Sequence, residues 1–431
     1  MAKSLNRVGV WASLRQAWKV EDIRKKLIYT FLMLVLFRLV GVIPAPGVNY
    51  AQVILEMERE KLPLLELLNM MTGSSFSNMT IMAMGISPYI NSSIIMQLLT
   101  IAIPALENLQ KSGKEGQKKI AKITRYVTVG LAVVQAIGLV AGLGYIKAGW
   151  FNYMLVGVSM AAGTALSMWI GERITEKGIG NGISLLIFAG IVNNLYLGVV
   201  SLAQGAFQAT TVTPWLQLLS VLGLMLLMIV LVTFVDLGFR LVEVKYAKQI
   251  KGNKMYGGQI SRMPLKVISV GVLPLIFAYS FMAFPGTIIQ LAGGTSSGAY
   301  IWWAQNMSGA SPAYLAVTAL LIVGFTYFYS SISFNPKDMA DNIKQQGGTI
   351  LPSVRPGKPT EDHLKRINGH LTLFAALFLA VLATVPTILT VSLNVQIPFA
   401  ASSLLIAVSV ALETKRQIDE LLKSRNYDRI I

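Results

Sequence analysis

His363 and His370 are the only histidines and cysteine is absent, so the sequence supplies no disulfide, no thiolate nucleophile and no His-rich metal cluster. The two histidines stand seven residues apart in or beside a charged connection, a setting for solvated side chains rather than metal ligands. Glu172, Asp236 and Glu413 each fall at the end of an apolar stretch, which leaves no carboxylate pair to share acid–base work inside one. A phosphate-cradling GxxxxGK[ST] loop is also missing, so nucleotide hydrolysis by that route is excluded. Enzymatic chemistry is therefore the weakest class of function, and no cofactor is expected. Arg38 is the single clear charge within an apolar stretch, five residues from that stretch's end at residue 43, and is expected to extend toward the interface as a structural cation. Ion-coupled transport usually requires several such groups at membrane depth, so a coupled pump starts as the weaker hypothesis.

The elements that would hold these residues are membrane helices. Of 431 residues, 54% are apolar and 13% charged, against about 25% charged in a soluble domain. A spanning helix needs about 20 mainly apolar residues, because its backbone must satisfy every N–H and C=O without water. Ten stretches qualify, near 27–43, 80–105, 126–146, 153–171, 182–203, 215–236, 267–290, 314–334, 369–390 and 397–413. The first follows seven basic residues but carries no small-residue cleavage site, so it is expected to be retained rather than removed as a signal peptide. Assigning alternate connections to one side places 33 of the 37 Lys and Arg residues there, in segments 1–26, 106–125, 172–181, 238–266, 335–368 and 414–431. That asymmetry orients both termini toward the cytoplasm, and one missed or invented helix would scramble it.

Three regions carry more than span-forming composition. Trp11, Leu14 and Trp18 sit at helical spacing beside Arg15, Lys19, Arg24, Lys25 and Lys26, as in an amphipathic helix on anionic lipid; a solvated basic lead-in is the other reading. Residues 69–105 begin Gly/Ser-rich and polar, then turn apolar, which reads as a re-entrant piece followed by a helix. Such backbone is tolerated at membrane depth only when buried in protein or lining a water-filled cavity, so a pore or vestibule is expected. Ser87, Asn91, Ser92, Ser93 and Gln97 give that helix a polar stripe, which either faces water or makes helix-to-helix hydrogen bonds. Finally, the connections 238–266 and 335–368 are long, basic and rich in Gly and Pro turns, and they suit docking of an acidic or nucleic-acid-bearing partner or contact with anionic headgroups.

The blocks FRLVGVIPAPGV (37–48), MAMGISPYINSSIIMQLLT (82–100), GERITEKGIGNGISLLIFAGIV (171–192), MPLKVISVGVLPLIFA (263–278) and FNPKDMADNIKQQGGTILPSVRPG (334–357) closely resemble the bacterial SecY family, in order and over essentially the whole chain. The resemblance implies an all-α polytopic membrane protein with ten transmembrane helices in two pseudo-symmetric halves around an hourglass pore. It divides the chain into a lead-in at 1–26, an N-terminal half at 27–205, a C-terminal half at 206–413 and a tail at 414–431. The implied function is the central channel subunit of a protein translocon in the cytoplasmic membrane of a bacterium. Such a channel is a passive conduit for unfolded polypeptides that also releases apolar segments sideways into lipid. Competing readings are a substrate-specific secondary transporter and an accessory paralogue with restricted clients.

By the same resemblance, Ile86, Ile90, Ile183, Ile187, Ile276 and Ile406 form a pore ring. Bulky apolar side chains at a constriction disfavour a continuous water column, yet they yield around a moving chain and supply no sequence-specific bond. Residues from about Leu65 to Met79 correspond to a plug. Gln97 and Asn181 are implied as polar contacts of a lateral gate, through which a signal sequence partitions into lipid. Arg355 and Lys248 are implied as docking residues for the SecA motor ATPase or the ribosome; an arginine there offers bidentate geometry to carboxylate or phosphate. The further partners implied are the small membrane subunits SecE and SecG, preproteins with their signal sequences, and anionic lipids. Three departures from the family pattern stand out: Glu243 and Gln249 where basic residues are usual, AASS at 400–403, and GSS at 73–75. These imply altered partner docking and gate packing within an unchanged fold.

Overall fold

A computed structural model describes residues 10–48, 75, 78–142, 149–208, 212–246, 249–251, 254–256, 260–268, 271, 273–293, 298–307, 311–350, 354–392 and 401–428. Each of the ten apolar stretches contributes most of its described residues to a helix. After a short α1 (Val10–Lys19) come α2 (Glu21–Val40), α3 (Ser87–Ala102), α4 (Pro104–Lys111), α5 (Lys114–Gly142), α6 (Trp150–Lys177), α7 (Gly182–Gln208) and α8 (Thr213–Asp236). Strands β1 (Phe239–Tyr246), β2 (Gln249–Lys251), β3 (Lys254–Tyr256) and β4 (Ile260–Lys266) follow. The chain continues through α9 (Leu273–Gly293), α10 (Gly298–Asn306), α11 (Pro312–Ser333), α12 (Pro336–Gln345), β5 (Gly348–Ile350), α13 (Lys358–Ser392) and α14 (Ala401–Asp428).

Among the described residues, six helices are long and apolar enough to cross a membrane, or seven if the bent pair α3–α4 counts as one. That pair turns by 101° at Ile103–Pro104, where proline at the first helical position removes a donor and forces its predecessor extended. The remaining three helices of the expected ten are α2, α9 and α14. Charges at both ends of α2 and through the second half of α14 dilute their apolar windows, and α14 runs unbroken into the segment expected as a separate tail.

The chain packs as two compact units. One comprises residues 1–222, 280–311 and 396–431; the other comprises 223–279 and 312–395. In the first, α6 is the most buried of the apolar helices. Glycines let its neighbours in: a Cβ on Gly157 would stand 2.5 Å from the Ile137 side chain of α5, and one on Gly163 would stand 1.9 Å from the Ile81 carbonyl oxygen. Small residues serve membrane helices in this way, because close backbone approach replaces the missing hydrophobic drive between helices. At the end of this unit, Ala17, Ile23, Ile179 and Ile418 form a small core that ties α1 to the far part of α14, while Trp18 stays exposed. Part of the lead-in is thus docked on protein.

The second unit contains structure not anticipated within an all-α fold. Connections 238–266 and 335–368 share one antiparallel sheet of order β4–β1–β5, with Val244 opposite Ile350. Beneath it, Val242, Val244, Leu265, Ile343, Ile350 and Leu364 form a core with α12 and the start of α13. Two segments that read as separate loops are therefore one platform. In the same unit α11 packs along α13 through a buried hydrogen bond of 2.6 Å between the Ser330 and Thr372 hydroxyls, and Asn368 Nδ2 donates to Ser330 Oγ at 2.9 Å.

Candidate functional site

The stretch leading into α3 is built from turns rather than helix. Pro44 and Thr80 form an isolated antiparallel bridge, Ala45 N donates to Met79 O and Ile81 N donates to Ile43 O, both at 3.0 Å. Among the described residues Met79 alone is a non-glycine at positive φ, +42°, held there while its side chain is fully buried. Gly85, at φ +51°, completes the turn. Turns therefore precede α3 over residues 78–86, and the earlier part of the Gly/Ser-rich piece, Ser75 apart, lies outside the described residues. Of the segment corresponding to a plug, only Ser75, Asn78 and Met79 belong to the described residues; Ser75 Oγ donates to Gly41 O at 3.3 Å and Thr80 Oγ1 donates to Ser75 O at 3.2 Å.

Ile86 sits where these turns become α3, and its carbonyl accepts from Tyr89 N and Ile90 N. Ile86 and Ile90 are one turn apart, hence on one face of the helix start, and both are buried. On α7, Ile183 and Ile187 repeat that spacing; Ile187 is buried and Ile183 half-buried. Ile406 lies in the buried run Ser403–Ala407 of α14, which packs on α7. Ile276 belongs to the second unit, on α9, where the adjacent Phe277 stacks on Tyr329 of α11 with ring centroids 4.7 Å apart. Five of the six isoleucines are buried and Ile183 is half-buried, so none is among the exposed apolar side chains.

The motif GERITEKGIGNGIS explains the start of α7. A Cβ on Gly182 would lie 1.9 Å from the Gly171 carbonyl oxygen, and Gly182 N donates to Thr175 Oγ1 at 2.9 Å. Asn181 caps the helix, its Oδ1 accepting from Ile183 N at 3.1 Å and Ser184 N at 3.3 Å. Its amide oxygen is thus committed to holding the turn that presents Ile183. Gln97 lies exposed near the end of α3. The gate role of Asn181 is implied by resemblance alone, whereas its capping of α7 is a local structural role that helix-start rules make legible.

Arg355 is exposed beside β5, between Val354, which bridges Ile350, and Gly357 at φ +101°; its carbonyl accepts from Thr360 Oγ1 at 2.8 Å, leaving the guanidinium on the platform's surface. Lys248 lies outside the described residues. Glu243, a departure from the resembled pattern, is directly opposite Arg262 in the β1–β4 ladder and meets it at 3.1 Å. At the foot of the same hairpin Lys266 Nζ and Asp236 Oδ1 pair at 3.0 Å with little exposure of either side chain. At the other end of the chain's first basic segment, the Lys25 ammonium at 2.8 Å holds the Glu21 carboxyl below the usual carboxylate range.

Arg38 departs from expectation. Its Nη2 donates to the Ala189 carbonyl of α7 at 2.7 Å instead of running out past the end of α2. A helical Cα–Cβ bond tilts toward the helix N-terminus, so a long side chain in the last turn is directed back along its own helix. Sequence reading located the charge but had no means of naming a backbone acceptor 151 residues away.

Comparison with known proteins places this arrangement. A model of the SecY family matches residues 80–415. The chain is 40% identical over 432 residues to the protein translocase subunit SecY of Streptomyces scabiei, covering 96% of this chain and 98% of that one. It is 37% identical over 450 residues to the protein of the same name from Corynebacterium glutamicum, covering 97% and 100%. Among solved structures, one described as the structure of a protein conducting channel aligns with a TM-score of 0.68 at 19% identity over 92% of both chains. Sec61 in the canine ribosome–channel complex aligns at 0.64 with 18% identity over 92% of both.

Proposed function

This chain belongs to the SecY family, and on that premise we propose how its residues serve a protein-conducting channel. It is a channel subunit of a protein translocase and not an enzyme. The conduit is passive: unfolded polypeptide crosses, and apolar segments leave sideways into lipid because hydrophobic transfer favours them. Energy comes from a partner.

Ile86, Ile90, Ile183, Ile187, Ile276 and Ile406 form the constriction, in a chain divided into halves at 27–205 and 206–413. The observation that supports this reading is that five of these side chains are buried and the sixth, Ile183, half-buried, on polytopic helices that expose other apolar residues by the dozen. Inward isoleucines on membrane helices fit a dry, compliant waist, which dewets to ions at rest and deforms around a sliding chain. The segment near 65–79 plugs it, and Asn181 and Gln97 sit at the lateral gate. Arg355, exposed on the platform, and Lys248 engage SecA or the ribosome. SecE and SecG complete the complex in a bacterial cytoplasmic membrane, with both termini inside and anionic lipid around the lead-in.

Reconstitution with those small subunits and the motor, followed by measurement of protease-protected preprotein, tests the reading. Protection dependent on ATP and on this chain is the expected result. Solute uptake down a gradient with no polypeptide protected would replace it with a secondary transporter.

A further inference from the structure

Among the basic residues of the ten apolar stretches, Arg38 stands alone, and passage of a polypeptide gives it no task. A guanidinium at membrane depth is costly, so its retention calls for a specific return. Its bond is to a main-chain carbonyl, which has a second lone pair beyond its intrahelical bond. A backbone acceptor reports where the helix itself sits, independent of any side chain on it.

The acceptor's place matters. Ala189 is two residues beyond Ile187, about 200° round the helix at 3.6 residues per turn, so α2 grips α7 on the flank away from the Ile183–Ile187 row. A second tie lies lower on the same pair of elements: Thr30 Oγ1 of α2 accepts from Ile179 N at 3.0 Å, just ahead of α7. Thr30 and Arg38 are eight residues apart, about 12 Å of helix rise, so α2 holds α7 at one height and the turn leading into it at another. Directly after α2, Ile43 O and Ala45 N clasp Ile81 and Met79, which lead into Ile86. One helix thereby connects to both elements that carry ring pairs in this unit.

We propose that Arg38 is a positioning residue of the channel: its bond to the Ala189 carbonyl fixes the rotation and height of α7, and through them the placement of Ile183 and Ile187. This rests on the reading of those two residues as part of the constriction.

The test uses the full chain reconstituted with its partner subunits. Resting ion conductance is measured for Arg38→Met, Arg38→Lys, Ile187→Ser and Arg38→Met/Ile187→Ser. Arg38→Met is expected to raise the leak severalfold, Arg38→Lys to recover part of the seal by keeping one donor, and the double variant to leak little more than Ile187→Ser alone. Because the chain has no cysteine, Leu186→Cys and Ile187→Cys variants, on neighbouring faces of α7, are labelled at one site by an impermeant maleimide. Arg38→Met, or Arg38→Lys should the first variant insert poorly, is expected to change the ratio of their labelling rates at least threefold. If Ile187→Ser leaks while the Arg38 variants neither leak nor shift that ratio, the inference is overturned and the ring survives. Additive leaks in the double variant also overturn it. If Ile187→Ser is silent but the ratio shifts, the ring reading fails and the hold of Arg38 on α7 stands.

Discussion

Gly171 and Gly182 face each other so closely across the α6–α7 turn that a Cβ on the second would stand 1.9 Å from the carbonyl oxygen of the first. The obstruction is backbone, which cannot rotate away as a side chain would. Gly182→Ala is therefore expected to push the start of α7 off α6, costing about 1–3 kcal/mol as an overpacked contact. A thermal unfolding midpoint several degrees lower in detergent checks this, and Thr175→Val, which removes the acceptor for Gly182 N, is expected to shift it in the same direction by less.

Asp236 and Lys266 anchor the platform to the end of α8. Removing one partner leaves the other charge with little solvent, a loss of about 3 kcal/mol for a buried pair. Asp236→Asn is expected to loosen the hairpin, seen as faster proteolysis within 238–266, and Asp236→Lys/Lys266→Asp is expected to restore much of the protection. The exposed pair Glu243–Arg262 is expected to matter far less: Glu243→Gln changes stability by less than about 1 kcal/mol.

Arg355 touches the platform through its backbone, while its side chain is exposed. Reversing the charge by Arg355→Glu is expected to leave the unfolding midpoint in place. It is expected to weaken motor or ribosome docking by about 2 kcal/mol, roughly thirtyfold in affinity, as for a central interface arginine. Binding measured against the purified partner checks it.

Replacing Ile86, Ile187, Ile276 and Ile406 with serine is expected to raise resting ion conductance in planar bilayers, since hydroxyls lower the cost of a water column through the waist. Exposed Leu320 supplies the control: Leu320→Ser is expected to leave conductance unchanged.

Helices are legible because hydropathy over about 20 residues is a strong local signal, but the stretch read as 80–105 runs past Pro104, where the chain turns after α3. The sheet is not legible. In FRLVEVKY, Val242 and Val244 face the core while Phe239 and Leu241 alternate with them on the open face, so the apolar run carries no clean alternation, and β5 pairs from about a hundred residues away. Isoleucine has no chemical signature that separates a pore from lipid, so the ring positions came only from resemblance. Arg38 shows the reverse case: its oddity is visible in sequence, but the Ala189 carbonyl it bonds has no side-chain identity to read.

The most direct measurement is site-specific photocrosslinking to a preprotein stalled in transit, with the probe placed in turn at Ile187, Ile276 and Leu320. Strong adducts at the first two and none at Leu320 are predicted. Equal yields at all three, or adducts at Leu320 alone, would contradict passage through an isoleucine-lined waist.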